Sequence, residues 1–446
     1  MDLRWAPLQS GGPDPDAEGR FREFVRSRLL SSFRNEPPFF DEPKPWALSG
    51  TLSLGAHLWT GEAEADEERE FGFAGACSFS FDKALNRLCG EAAERFVLLP
   101  PPSGLEVRAW RSFPAGEALD PQMIVAGAKR TPPERRHLDL TWLPARDAAS
   151  GALVNVPAQL VDVPHLFEAG EPVIRAPITT GAAVGWSLEE CVWRGLAEVI
   201  ERDAFMINWL LGPRGRTLEP DRAGSKKAAE WAALCEAVSE CRRYRLRPVF
   251  AELLTPEALS VVTCALFDDT GVGPRFSLGA SASYAPGPAA LKALEEALQL
   301  RLWLRSEREA ILSYADRRGD QTAPSTIRSR AALCFDHVYS ARLETLLAVE
   351  GDAPIAAESS LQTLHDVLSV LESNGASVYV VDLTERLPDD LTTVGLRAAK
   401  VIVPQLQPLY LTEALADIAW DRIDFYRDRY SKFRGGDLNP LPHPFL

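Results

Sequence analysis

Two segments of this chain carry the same acidic pattern. Residues 80–95 align without a gap on residues 187–202, at a constant offset of 107 positions. Ser80 falls on Ser187, Asp82 on Glu189 and Arg87 on Arg194, while Glu91, Glu94 and Arg95 fall on Glu198, Glu201 and Arg202. In each copy the two glutamates stand three positions apart, so on a helix their carboxylates project from one face. A third segment, after the turn Ala285-Pro286-Gly287-Pro288, carries a looser version in Lys292, Glu296, Gln299 and Arg301. A single copy is explained by a solvated helix face with Arg87–Glu91 or Arg194–Glu198 pairs at i, i+4. Recurrence calls for more, because several such faces brought together would repel one another without cations. Hard carboxylate oxygens suit Mg2+, which takes one or two of them and completes its octahedron with water and phosphate oxygens. The chemistry these residues suggest is the holding of a metal-bridged triphosphate.

Composition agrees and excludes the main rivals. The 446 residues carry a formal net charge of -15, which disfavours non-specific binding to nucleic acid, so a nucleotide would have to be gripped locally. Apolar residues make up 46% and charged residues 25%, the balance of an ordinary globular protein with a substantial core. No apolar run is long enough for a membrane span, and the first twenty residues are acidic and proline-bearing where a signal peptide would be basic and then apolar. A cytoplasmic protein with no membrane partner is expected. The seven cysteines are scattered without CxxC spacing and the six histidines without HExxH, so reduced, packed thiols are expected and neither a zinc site nor a Ser-His-Asp hydrolase is supported.

Periodicity and turn residues mark the elements that must position the acids. Residues 10–20 are rich in Gly, Pro and Asp and read as a disordered start, before a short helix in which Phe21, Phe24, Val25 and Leu29 share a face. Residues 35–46 hold too many prolines for regular structure and read as a loop. Strands are expected over 105–110, 123–126, 138–143, 153–160, 248–253, 261–267 and 378–383. Helices are expected over 82–97, 187–210, 225–243, 287–314, 360–373 and 411–432. The fold class is α+β, a β-sheet with packed helices. Ser80 and Ser187, each succeeded by an acid, read as helix N-caps.

With those residues in view, the chain resembles the YcaO family over about residues 70–446. The resemblance is carried by SFDKALNRLCGEAAERF, TTGAAVGWSLEECVWRGLAEVIERDAF, GPAALKALEEALQLRLWLRSERE, SVYVVDLT and VIVPQLQPLY. It implies a pseudo-symmetric α+β fold with an ATP crevice lined by the acidic helices, and a division into an N-terminal extension, residues 1–69, and a catalytic domain, residues 70–446. It further implies ATP and Mg2+ as cofactors, with Glu91, Glu94, Glu198, Glu201 and Glu296 as metal ligands. Arg95, Arg202, Gln299 and Arg308 would then lie near the nucleotide, and Thr180 and Gly181 would offer backbone N–H groups to its phosphates. Position 87 is Arg where many members have Ser, and residues 75–78 lack the Gly-Lys-Gly common before the first helix.

The chain ends Pro440-Leu441-Pro442-His443-Pro444-Phe445-Leu446. Three alternating prolines favour an extended rod able to deliver a terminal carboxylate to a fixed point. Such a tail resembles that of the azoline-forming cyclodehydratases, which makes Leu446 a candidate base positioned by Pro440, Pro442 and Pro444. An exposed rod of this kind is expected to bury little apolar surface. The resemblance implies that Cys, Ser or Thr residues of a ribosomal precursor peptide are closed into thiazoline or oxazoline rings through ATP-dependent phosphorylation of the preceding amide. It implies as partners a separate leader-binding protein of the ubiquitin-activating (E1-like) type and a flavin-dependent azoline dehydrogenase, and leaves a homodimer open. Thioamide or macrocyclic amidine formation, and a catalytically silent docking scaffold, are the rival readings; product mass discriminates among them.

Overall fold

The computed structural model describes residues 15–36, 44–52, 73–100, 105–212, 215–220, 228–257, 259–318, 324–347, 363–433 and 435–446. Its strands form three antiparallel sheets. The first is β1 (Leu30–Glu36), β2 (Trp46–Leu52) and β3 (Phe73–Ser78) in that order. The second holds β4 (Val107–Ala109), β5 (Asp139–Asp147), β6 (Leu153–Pro157), β7 (Ala182–Gly185), β12 (Tyr379–Asp382) and β13 (Arg397–Ile402). Its order is β4-β5-β12-β13-β7, with β6 also on β5. The third runs β11-β10-β9-β8, from β8 (Arg216–Leu218), β9 (Leu246–Leu253), β10 (Ser260–Asp268) and β11 (Phe276–Ser283).

The helices are α1 (Pro15–Phe24), α2 (Phe81–Val97), α3 (Leu188–Leu210), α4 (Ala228–Arg243), α5 (Pro286–Ser306) and α6 (Arg308–Arg318). After them come α7 (Ile327–Ala332), α8 (His337–Leu347), α9 (Leu364–Ser373), α10 (Asp389–Thr393) and α11 (Trp420–Arg429). All nine residues of β10 are buried, as a strand covered on both faces requires. Val262, Cys264 and Leu266 pack with α4 and α5, while the alternate Val261, Ala265 and Phe267 pack with α3. The second sheet divides the same way: Val380, Ala399 and Val401 face α3, and Val381, Ala398 and Ile402 face α2 and the first sheet. The two acidic helices are thus wedged between sheets.

The mixed α+β class is as expected, and the structure moves several boundaries. The N-terminal segment is helical from Pro15, because Ala17 and Phe21 are buried and Arg22 ties Glu18 to Asp82 of α2; residues 10–14 lie outside the described residues. Residues 121–123 form a 3-10 turn capped by Asp120 rather than the start of a strand. The long helix expected over 287–314 breaks at Glu307 into α5 and α6. The helix expected from residue 411 begins at Trp420, after a 3-10 turn at Glu413–Leu415. Parts of the expected loop over 35–46 and of the helices expected from residues 225 and 360 fall outside the described residues. Residues 30–52, read as part of an extension, pair through β2 with β3 and so share a sheet with the strand that leads into α2. Cysteines are free and, apart from half-buried Cys235, buried. Among the described residues no helix is long and apolar enough to cross a membrane.

A buried polar knot ties α3 to the C-terminal third. Asp203 accepts from Arg422 through Nε at 3.1 Å and Nη2 at 2.6 Å, from the Gln407 N–H at 2.8 Å and from the Tyr426 hydroxyl at 3.3 Å. Arg422 Nη2 also donates to Glu257 at 2.7 Å. Breaking such a pair on one side strands a buried charge. Replacing Arg422 with Met is therefore expected to cost about 3–5 kcal/mol of unfolding free energy, read as a lower denaturant midpoint at unchanged slope; a midpoint equal to that of wild type would contradict it.

Candidate active site

The site is built from three copies of one unit: an edge strand, a tight turn and a helix. They are β3–α2, β7–α3 and β11–α5, and each strand lies at the end of its sheet order. Ser80 and Ser187 cap the first two helices as expected, accepting from Lys83 N and Glu190 N; the third begins at Ala285 with proline in its first turn. An edge strand has N–H groups with no neighbouring strand to bond. Here the helix carboxylates take them. Glu91 Oε2 accepts from Gly75 N at 2.9 Å, Glu198 Oε2 from Gly181 N at 2.9 Å, and Glu296 Oε2 from Ala280 N at 3.3 Å.

The second acid of each pair reaches the next unit. Glu94 accepts from Val184 N of β7 at 3.1 Å, and Glu201 from Ala282 N of β11 at 3.2 Å. In the third unit Gln299 takes this place, its amide nitrogen lying 2.9 Å from where a Cβ on Gly75 of β3 would stand. Each helix correspondingly packs on the next unit's strand: α2 on β7, α3 on β11 and α5 on β3. The repeat seen in the sequence twice, and loosely a third time, is a closed ring of three.

Basic residues brace the ring. Arg95 binds Glu91 at 3.0 Å; Arg202 approaches Glu201 at 2.9 Å and Glu198 at 3.5 Å. Arg194 donates to the Val184 carbonyl, and Arg87 to the Cys77 carbonyl. Arg87 also meets Glu295 at 2.6 Å, a buried acid that further accepts from Ser78 Oγ and Phe79 N. Arg87 thus pins α2 to α5. Arg301 leaves the ring for Asp268, which it grips at 2.6 Å. Arg308 is exposed in the first turn of α6, and no hydrogen bond or ion pair joins it to the ring among the described residues. Thr180 is half-buried beside Gly181, whose N–H is engaged by Glu198. Gly181 sits at φ +91°, and a Cβ on Gly195 would stand 2.4 Å from its carbonyl oxygen. Only a residue without a side chain there lets α3 approach closely enough to place Glu198.

Burial raises three of the acids, Glu94, Glu201 and Glu296, above the usual carboxylate range. Glu94 is pushed up to about 7, against the pull of the Val184 N–H and helped by the charge on Glu198. Glu201 is raised by burial and by Glu296 despite Arg202, and Glu296 is raised by burial despite Lys292 and Arg202. Gathering carboxylates in a poorly solvated place is a deficit that a divalent cation relieves. Among the described residues no three His, Cys, Asp or Glu side chains stand close enough to hold a metal ion by themselves, so a cation here would need phosphate or water oxygens as well. Arg202 Nε is buried with no hydrogen-bond partner. These residues therefore fit a metal-bound polyphosphate.

A family comparison matches residues 76–407 to the YcaO cyclodehydratase family, described as ATP- and Mg2+-binding. The chain belongs to the YcaO family. Solved structures with the same fold include a heterocyclase in complex with substrate and cofactor, similar at TM-score 0.73 and 15% identity over 100% of this chain. This YcaO protein spans 59% of that heterocyclase's length. A YcaO protein of Methanopyrus kandleri bound with AMPPCP and Mg2+ is similar at TM-score 0.57 and 20% identity, over 88% of this chain and 90% of that one. A chain of the Escherichia coli microcin synthetase McbBCD complex is similar at TM-score 0.60 and 13% identity, over 99% and 100%.

The C-terminal tail of this YcaO protein differs from the exposed rod expected. Pro440 is exposed, but Pro442, His443, Pro444 and Phe445 are buried and Leu446 is half-buried. Proline has no N–H to satisfy, so only carbonyls need partners when such a segment is buried. Trp209 Nε1 donates to the Leu441 carbonyl at 2.9 Å, the Tyr339 hydroxyl to that of Pro442 at 2.5 Å, and Arg330 to that of His443. His443 donates from Nε2 to the Tyr410 carbonyl at 2.5 Å and is held neutral by burial. Phe445 packs on Phe205 and lies under the Arg202 guanidinium, 4.2 Å from ring centre to carbon. The tail thereby touches the residue that binds Glu198 and Glu201. Sequence reasoning missed Glu295, Trp209, Arg330 and Tyr339, whose partners are more than a hundred positions away. Phe445→Ala is expected to destabilise the fold by about 3 kcal/mol, as for a buried aromatic; an unfolding temperature equal to wild type would show the tail to be undocked.

Proposed function

We infer that this YcaO protein is an ATP-dependent cyclodehydratase that activates backbone amides of a ribosomal precursor peptide and closes Cys, Ser or Thr onto them as thiazoline or oxazoline. The observation that carries the reading is the contact of Phe445 with Arg202. It joins a docked proline-rich terminus to the carboxylate ring in a chain of the YcaO family. When bound, ATP supplies the phosphoryl group that makes the amide oxygen a leaving group, with Mg2+ offsetting its charge.

The chain's own residues do the rest. One or two at a time of Glu91, Glu94, Glu198, Glu201 and Glu296 would hold Mg2+ together with phosphate and water oxygens, and backbone N–H groups hold these acids in place. Arg95 and Arg202 steady the acids and leave Arg202 Nε for a phosphate oxygen. The terminal carboxylate of Leu446, next in the chain to Phe445, takes the proton from the attacking thiol or hydroxyl, directly or through water. Positioning and charge neutralisation are what such a reaction needs from a protein.

A separate E1-like leader-binding protein is proposed as partner, with a flavin-dependent dehydrogenase acting on the azoline afterwards. The similarity to one chain of a multi-subunit microcin synthetase supports working in company. A homodimer and a cytoplasmic setting belong to the same reading, as does the division at residue 70. Incubation of a Cys/Ser/Thr-rich precursor with this chain, its partner, ATP and Mg2+ is expected to remove one water per ring by mass. Glu198→Gln and Glu201→Gln are expected to lower ATP turnover about a hundredfold or more without loss of folding. Product heavier by an oxygen-to-sulfur exchange would indicate thioamide formation instead, and wild-type turnover in both variants would contradict the metal assignment.

A further inference from the structure

Among the described residues, Lys400 and Arg175 lie beside the ring, out of full solvent exposure, with no carboxylate within ion-pair distance. Lys400 lies on β13, paired with Ala182 of β7, and is 1% exposed. Its ammonium carries three N–H donors and gives one hydrogen bond, to the Ile178 carbonyl at 2.6 Å. Arg175, three residues before Ile178, is half-buried, and its Nε is buried with no hydrogen-bond partner. The two cations feel each other's repulsion, while Glu198 and Asp162 attract Lys400 and Asp417 attracts Arg175 from farther off.

Neighbouring carboxylates have other partners, although Asp162 Oδ2 is buried without a hydrogen bond. Asp162 is bound by Arg386 at 2.7 Å, Asp417 accepts from Gly127 N at 2.6 Å, and Glu198 accepts from Gly181 N. Burial, with the second cation adding to it, lowers the Lys400 ammonium to about 7, and an anion bound at its spare donors would favour the charged form. The strand carrying Lys400 also places it within reach of Glu198, one of the acids assigned to the metal. Removing Lys400 would relieve burial cost rather than break a salt bridge, which marks it as kept for a ligand.

We propose that Lys400 and Arg175 form an anion subsite that holds the terminal phosphoryl group of the bound nucleoside triphosphate. The subsite rests on the reading of the ring as a nucleotide site and adds which phosphate is gripped from the β13 side. Charge-assisted hydrogen bonds would come from the unused Lys400 donors and the Arg175 guanidinium. A nucleoside diphosphate lacks the group they bind.

The test is calorimetric binding of AMPPCP and of ADP, each with excess Mg2+, to the full chain and to Lys400→Met, Arg175→Met and Arg175→Lys. Both methionine variants are expected to weaken AMPPCP about tenfold or more and to leave ADP within about twofold. Arg175→Lys is expected to recover part of the loss. The ligand-free unfolding temperature of Lys400→Met is expected to hold or rise. Equal weakening of both nucleotides, or AMPPCP binding as in wild type, would overturn the subsite while leaving the ring as a nucleotide site. A fall in unfolding temperature with equal weakening would overturn it too and make Lys400 a prop for the Ile178 loop. A wild-type chain that binds neither nucleotide would remove the functional reading and the subsite with it.

Discussion

The edge of a β-sheet leaves backbone N–H groups unpaired, and in this protein the side chains that satisfy them are glutamates. Gly75 of β3, Ala280 of β11 and Gly181, the turn residue just before β7, each give their N–H to an acid on the helix that follows, and Val184 and Ala282 give theirs to the helix of the preceding unit. Three edges that would otherwise invite another strand are closed by the same side chains that define the site. The three sheets cannot separate without uncovering both the edges and the acids. A fold requirement and a ligand requirement are therefore carried by one set of bonds.

That double use has an electrostatic cost, which the rest of the structure is arranged to bear. Carboxylates gathered between helices are raised towards neutrality by burial and by one another. Arg95, Arg194 and Arg202 moderate the repulsion without cancelling it. The tail packs against the same arginine, so the terminus is placed by the site's own brace rather than by a separate clamp. Burial of the tail also corrects the expectation of a loose end. Its carbonyls are met by Trp209, Tyr339 and Arg330, and its prolines bring no N–H groups to satisfy.

The acidic helices are legible in the sequence because helix periodicity is local. The ungapped match of Glu91, Glu94 and Arg95 to Glu198, Glu201 and Arg202 exposes two of the three units, and the serine caps mark where both helices start. The third unit is half hidden because Gln299 replaces an acid and Leu300 stands in the place of Arg202, with Arg301 one position beyond it and turned away to Asp268. Edge strands β3 and β7 escape sequence reading, being short and rich in alanine and glycine, with little β propensity to betray them. Lys400 and Glu295 are invisible in the sequence because each meets the site through strand pairing or helix packing at long range. Asp203, next to Arg202 in the sequence, bonds to Arg422 in the core instead of joining the ring.

The central claim is that the raised carboxylates await a metal-bound polyphosphate, and proton linkage tests it directly. Groups held near neutral pH by burial must lose their protons when a cation binds among them. Titration of the full chain with AMPPCP near pH 7, in two buffers of different ionisation heat and with or without Mg2+, measures that loss. Saturable binding that requires Mg2+ and releases protons is the expected result. Binding that is indifferent to Mg2+ and to the buffer would contradict it.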